Sequence, residues 1–283
     1  MNICYFVKET HQYFVNGIEY TSVSELWKKY FGKFDSLEIS LKKAYKELDE
    51  KVYEDCKKIL SYNDPGFLNL LRKTSKIKTK IIEEKASSYR NQWIDKAQKG
   101  TDFHKVKEEE DYKKGYRINP FDNKKYKIIK WDVEANYENQ SYPGKLIDIP
   151  DGYISEHLIK SDKYKVAGQM DQNFIETING KRYVDIDDWK TDAEILLKPS
   201  YINPKYKSPY FKYPVDHIYE TNYWKYVLKI STYAKILEME GFIVRNLAFT
   251  HVLLDENSNV ISKQRYKLPY KKEEVEFILE EKL

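Results

Sequence analysis

The sequence predicts an α/β protein with a hairpin-plus-helical N-terminal extension, and three observations predict it. Two strand-like stretches, 166–171 and 184–191, flank Asn179-Gly180, the preferred centre of a two-residue type I′ hairpin. A helical pattern over about 220–240 is followed by two strands, roughly 243–254 and 259–267. Between residues 36 and 98 apolar residues recur at helical spacing in a background rich in Lys and Glu.

Element by element, residues 3–7 and 12–20 alternate as strands do, with Asn16-Gly17 as a tight turn. Ser22-Val23-Ser24-Glu25 is a capping-box pattern that opens a short helix ending near Gly32. Leu37, Leu41, Tyr45, Leu48 and Val52 set the helical period of 36–61, and Asp64-Pro65-Gly66 breaks it. Helix resumes from about Phe67 to Gln98, interrupted near Thr74-Ser75. Gly100 reads as a helix C′ residue and Thr101 as the N-cap of the next helix. Residues 112–130, rich in Lys and Tyr with Asn119-Pro120, read as a basic connection. The segment 196–216, with Pro199, Pro204, Pro209 and Pro214, reads as an extended loop. Val227, Ile230, Ala234 and Leu237 form the buried stripe of the 220–240 helix, with Gly241 as its stop. A short charged helix closes the chain. No internal repeat interrupts this order, so we expect one compact unit, divided as an N-terminal hairpin and helical region over 1–95 and a core over 96–283.

Composition bounds the chemistry. The 283 residues are enough for one sizeable core, and the formal charge of +4 permits a polyanionic partner without requiring one. The 26 tyrosines suit base stacking, but AT-rich coding produces the same excess. Two cysteines, Cys4 and Cys56, exclude a four-cysteine iron–sulfur or zinc site within one chain. No apolar run reaches transmembrane length and the N-terminus lacks a signal-peptide core, so no membrane partner and a cytoplasmic location are expected.

The hairpin carries the first candidate site. A turn at Asn179-Gly180 pairs 178 with 181 and, counted outward, Asp171 with Asp188. Residues directly opposite have Cα atoms about 4.5–5.5 Å apart. Two acids that close repel unless a cation lies between them or one keeps its proton. Lys190 points to the same face as Asp188, which makes a divalent-metal site for phosphodiester chemistry the sharper reading. An isolated Asp-x-Lys is otherwise commonly a surface salt bridge. A bulge in this strand would substitute Asp187 for Asp188. His104 and Glu108, four residues apart on one helix, could ligate a metal or orient a ligand, or be a surface pair. Lys229 and Tyr233 share the same spacing, and from that alone an exposed lysine beside a half-buried tyrosine is the better reading. In the proline-rich loop, Lys198, Lys205, Lys207 and Lys212 alternate with Tyr201, Tyr206, Tyr210 and Tyr213, which suits either a nucleic-acid backbone with unstacked bases or plain solvation.

Taken in order, Gly100-Thr101-Asp102-Phe103-His104 with Glu108, Gly168-Gln169-Met170-Asp171, Asp188-Trp189-Lys190-Thr191 and Lys229-Ile230-Ser231-Thr232-Tyr233 resemble the PD-(D/E)XK nuclease superfamily, in its RecB-like and phage lambda exonuclease-like branches. The resemblance covers about half the chain. It implies a restriction-endonuclease-like core, a central mixed sheet flanked by helices. It implies a metal-dependent deoxyribonuclease, of the exonuclease kind that acts on DNA ends in phage-type recombination or replication. Asp171, Asp188, the Trp189 carbonyl and His104 would hold Mg²⁺ or Mn²⁺. Lys190 would position water or stabilise charge, and Glu108 would orient His104 or hold a metal-bound water. Lys229, Tyr233 and Thr191 would contact the nucleic acid. DNA is the implied partner, with a recombination or single-strand-binding protein as a further one. Ring-forming relatives make an oligomer compatible, and a phage-encoded member would work in the host cytoplasm. The family glutamine four residues before Tyr233 is Lys229 here, which keeps alive a non-catalytic DNA-binding protein on a degenerate nuclease fold. A structural protein whose acidic pair holds an ion is a third reading.

Overall fold

The computed structural model describes residues 3–32, 35–62, 64–130, 141–199 and 209–283. It is an α/β protein built on a large mixed sheet with helices on its faces. The first hairpin is β1 (Cys4–Val7) and β2 (Gln12–Val15), and β3 (Ile18–Ser22) follows through Asn16-Gly17, both residues at positive φ. Ser22 then caps α1 (Val23–Lys28), its hydroxyl accepting from Glu25 N at 3.0 Å.

Four helices come next: α2 (Ser36–Leu48), α3 (Glu50–Ile59), α4 (Phe67–Thr74) and α5 (Thr79–Lys114). Leu41, Tyr45, Tyr53, Phe67, Leu71 and Ile82 give them a hydrophobic core of their own. The long α5, about 54 Å at 1.5 Å per residue, belongs to both parts of the molecule. Its first half closes this small core, and Phe103 in its second half packs on the sheet against Trp189 and Val252. The expected break at Gly100-Thr101 is therefore absent. Gly100 lies inside the helix, where a Cβ would come 2.6 Å from the Thr191 hydroxyl, so glycine serves a close helix–strand approach and not a helix end. The sequence-based boundary at 95/96 falls inside this helix.

The basic connection expected over 112–130 is the end of α5 followed by a small hairpin, β4 (Tyr116–Ile118) with β5 (Lys125–Lys127). Then come β6 (Gly152–Ser161), β7 (Val166–Ile178), β8 (Lys181–Asp187), β9 (Trp189–Lys190), α6 (Asn222–Met239), β10 (Ile243–Leu254), β11 (Val260–Lys267) and α7 (Lys272–Glu280). The sheet runs β1-β2-β3-β7-β8-β10-β11, with β6 also on β7 and β9 on β10. β8 and β10 are parallel, joined through α6, while the two hairpins β6–β7 and β7–β8 are antiparallel. Val227, Ile230, Ala234 and Leu237 of α6 are buried as expected, together with Val184, Ile186, Phe249, Val275 and Ile278 in the main core. Of the 196–216 loop, Lys205 and its neighbours from 200 to 208 lie outside the described residues. No helix among the described residues is long and apolar enough to cross a membrane.

Candidate metal and nucleic-acid site

Ladder register positions the site. β8 pairs with β7 as Ile178↔Lys181 inward to Gln172↔Asp187, the register that Asn179-Gly180 dictates. On that same edge of β7, β3 pairs only with Val166 and Ala167. Between Ala167 and Gln172 the edge has no ladder partner, because the chain leaves β7 at Asp188 and continues as β9 along β10. Asp171 thus stands one step beyond the last pair, and its Oδ2 accepts from Trp189 N at 2.6 Å, bridging the split with a side chain.

Three donors converge there. His104 Nδ1, on α5, lies 3.5 Å from Asp171 Oδ2 and 3.5 Å from Glu156 Oε1. One ligand atom from each of His104, Glu156 and Asp171 falls within 4.8 Å of the others, an arrangement that could hold a metal ion. Glu156 stands directly opposite Asp171 on β6, between the pairs Ser155↔Gln172 and His157↔Met170, with φ at +47°. A non-glycine residue in that region is strained and is retained where the fold over-determines it. Sequence reasoning missed Glu156. Its signal was an acid inside the apolar run Tyr153-Ile154-Ser155-Glu156-His157-Leu158-Ile159.

Asp188 lies beside this triad, 1% exposed. The Lys190 ammonium donates to Asp188 Oδ2 and, at 2.8 Å, to the Trp189 carbonyl. The same ammonium lies 5.0 Å from the centre of the Tyr226 ring, whose hydroxyl donates to Asp192. Burial opposes ionisation of Asp188, but Lys190 and then Lys229 outweigh it and bring its pKa down to about 2. Burial, followed by the Asp188 charge, pushes Asp171 up to about 7. Burial lowers the His104 imidazole, yet the Asp171 and Glu156 carboxylates prevail and raise it to about 9. The site is therefore a buried acidic pair of unequal acidity, with cations on either side. The side-chain amides of Gln172 and Asn173, next to Asp171, are buried with no hydrogen-bond partner among the described residues. The imidazole and the two carboxylates make a donor set that fits a divalent cation.

The remaining expected residues divide. Glu108 is buried one turn beyond His104, but its carboxylate accepts from Ser155 Oγ at 2.9 Å, and the carboxylates beside His104 are Glu156 and Asp171. Asp187, the alternative acid, projects to the opposite face, bonded to Arg265 at 2.8 Å and to Thr250. Tyr233 is 2% exposed. A Cβ on Gly168 would meet its ring at 2.5 Å, so the glycine of the Gly-x-x-Asp strand lets that ring lie on the sheet, and the ring is closed to a nucleic-acid base. Lys229 holds its ammonium 5.7 Å from the Tyr233 ring centre and faces Asp188 electrostatically. Thr191 packs on Gly100. Lys198 is exposed on the segment after β9, and Lys205 lies outside the described residues. Compared with known proteins, the chain matches no family model, no curated protein and no solved structure.

Proposed function

We propose that this protein is a divalent-metal-dependent deoxyribonuclease of the PD-(D/E)XK superfamily, acting at DNA ends. The observation that carries the reading is the convergence of His104, Glu156, Asp171, Asp188 and Lys190 at the split between β7 and β9. The four motifs contributing to it stand in the order of that superfamily, which supports the family and the end-directed activity.

His104, Glu156, Asp171 and Asp188 would hold Mg²⁺ or Mn²⁺, the imidazole favouring Mn²⁺. An ion held there would supply Lewis acidity toward phosphate and make water more acidic. The chain's own residues do the rest. Lys190, fixed by Asp188 and the Trp189 carbonyl, presents an ammonium where negative charge grows on the phosphate. Asp171, anchored on Trp189 N, keeps the carboxylates of two strands in one place. Glu156 and Asp171 hold the His104 ring between them.

Release of acid-soluble nucleotides from linear duplex DNA, with Mg²⁺ or Mn²⁺ against EDTA, tests this. Lys190→Ala should lower the rate at least a hundredfold while leaving metal affinity within a few-fold. Equal release in EDTA would sink the reading. One observation favours a second reading, a DNA-binding protein without turnover: Asp188 faces two lysines, Lys190 and Lys229. That protein would bind DNA with strong salt dependence and leave it intact.

A further inference from the structure

Beside the metal-binding residues lies an open cleft of about 420 Å³. One wall is a stripe of α5: Trp93, Lys96, Gly100 and His104, spaced by three or four residues and so on one face of the helix. The facing wall is the 189–193 segment with Tyr226 of α6. The close approach of Gly100 to Thr191 joins the two walls. Trp93 stands 11 residues before His104. That is about 16 Å along the helix axis.

The chemistry of the stripe is not that of a core-facing helix surface. Trp93 is half-buried and Lys96 exposed. One turn further out, Tyr89 follows on the same face, and Lys43 of α2 lies over both rings, 4.8 Å from the Tyr89 centre and 5.8 Å from that of Trp93. Cations interleaved with aromatic faces bind the backbone and the bases of an unpaired strand together. Two of the acids nearby are engaged: Asp192 accepts from the Tyr226 hydroxyl, and Glu47 bonds Lys85 and Tyr89. A cleft this size takes a nucleotide or two, whereas a duplex keeps its base faces stacked inside and could not offer one to Trp93.

We propose that this cleft is a single-strand subsite. A base stacks on Trp93, and the backbone passes Lys96 toward His104, Asp188 and Lys190. The direction of the strand rests on the nuclease reading above, while the stacking on Trp93 does not.

The test is equilibrium binding of a fluorescein-labelled (dT)15 and of a 15-base-pair duplex to the full chain in buffer without divalent ions, read by anisotropy across a salt series. Trp93→Ala should weaken (dT)15 binding roughly 5- to 150-fold, the value of one base–aromatic stack. Trp93→Phe should restore most of it, and the duplex should bind more weakly than (dT)15 to wild type. Lys96→Ala should reduce the salt slope by about 0.7, as loss of one phosphate contact on a single strand does. Circular dichroism and thermal melting of each variant identify any that misfolds, in which case Trp93→Phe against Trp93→Leu supplies the comparison. Wild-type affinity in Trp93→Ala, or no binding of (dT)15 by wild type, overturns the subsite. Trp93-dependent binding in a protein that neither binds Mn²⁺ nor cleaves DNA would leave the subsite standing and remove the nuclease reading.

Discussion

Glu156 combines a strained backbone with a carboxylate in contact with His104. Non-glycine residues at such φ values cost on the order of 1–3 kcal/mol. Glu156→Gly should therefore hold or raise the thermal stability of the metal-free protein and lower Mn²⁺ affinity at least tenfold, measured by calorimetry. A loss of stability without a change in affinity would make Glu156 a structural residue. Its neighbour His157 makes a separate prediction. Burial pushes its pKa down to about 3, against about 6.5 unfolded. The folded state thus requires the neutral ring, so its contribution is complete above pH 6.5 and lost as pH falls from 6.5 toward 3. The loss is on the order of 4–5 kcal/mol at the acid end. His157→Leu should flatten the acid limb of a denaturation series between pH 6.5 and 4, and an unchanged limb would contradict the burial argument. Asp171 and Asp188 were legible as a pair because Asn179-Gly180 fixes the register of β7 on β8. Glu156 was not, because the turn joining β6 to β7, with Lys165 at positive φ, carries no Asn-Gly dipeptide to count from.

At the scale of elements, the split after Asp187 and the passage of α5 over it make the site. Local signals read the hairpins, the Ser22 cap and α6 correctly, since their turn and cap residues act within a few positions. They misread Gly100, whose reason is tertiary: Thr191 occupies the space a side chain would need. Gly100→Ala should push α5 away from β9 and move His104. We expect a loss of about 1–3 kcal/mol in stability, typical of overpacking, despite alanine's better helix propensity. Thr191→Ala in the same chain should recover most of it, and a stable Gly100→Ala single variant would show that the helix has room. Asp185 and Asp187 illustrate the other face of β8. Both are fully buried and neutralised by Arg245 and Arg265 from β10 and β11, so the acidic run 185–188 divides between a structural face and the site.

Across the molecule, α5 ties a helical module with its own core to the sheet that carries the acids. Metal binding should be felt as stability of the whole chain, because an ion that binds only the folded state adds about 2.7 kcal/mol at a hundred times its Kd. The pH dependence follows from the raised groups. His104, near 9, and Asp171, near 7, must give up protons to act as ligands, so Mn²⁺ should raise the melting temperature more at pH 8 than at pH 6. An equal rise at both would mean that neither is a ligand. The most direct test of the account is nuclease activity on linear duplex, single-stranded and closed circular DNA with Mg²⁺ or Mn²⁺, wild type beside Asp188→Ala. The account predicts metal-dependent loss of the linear substrates, sparing of the closed circle and abolition by the substitution. Intact substrates with wild type, or undiminished cleavage by Asp188→Ala, would contradict it.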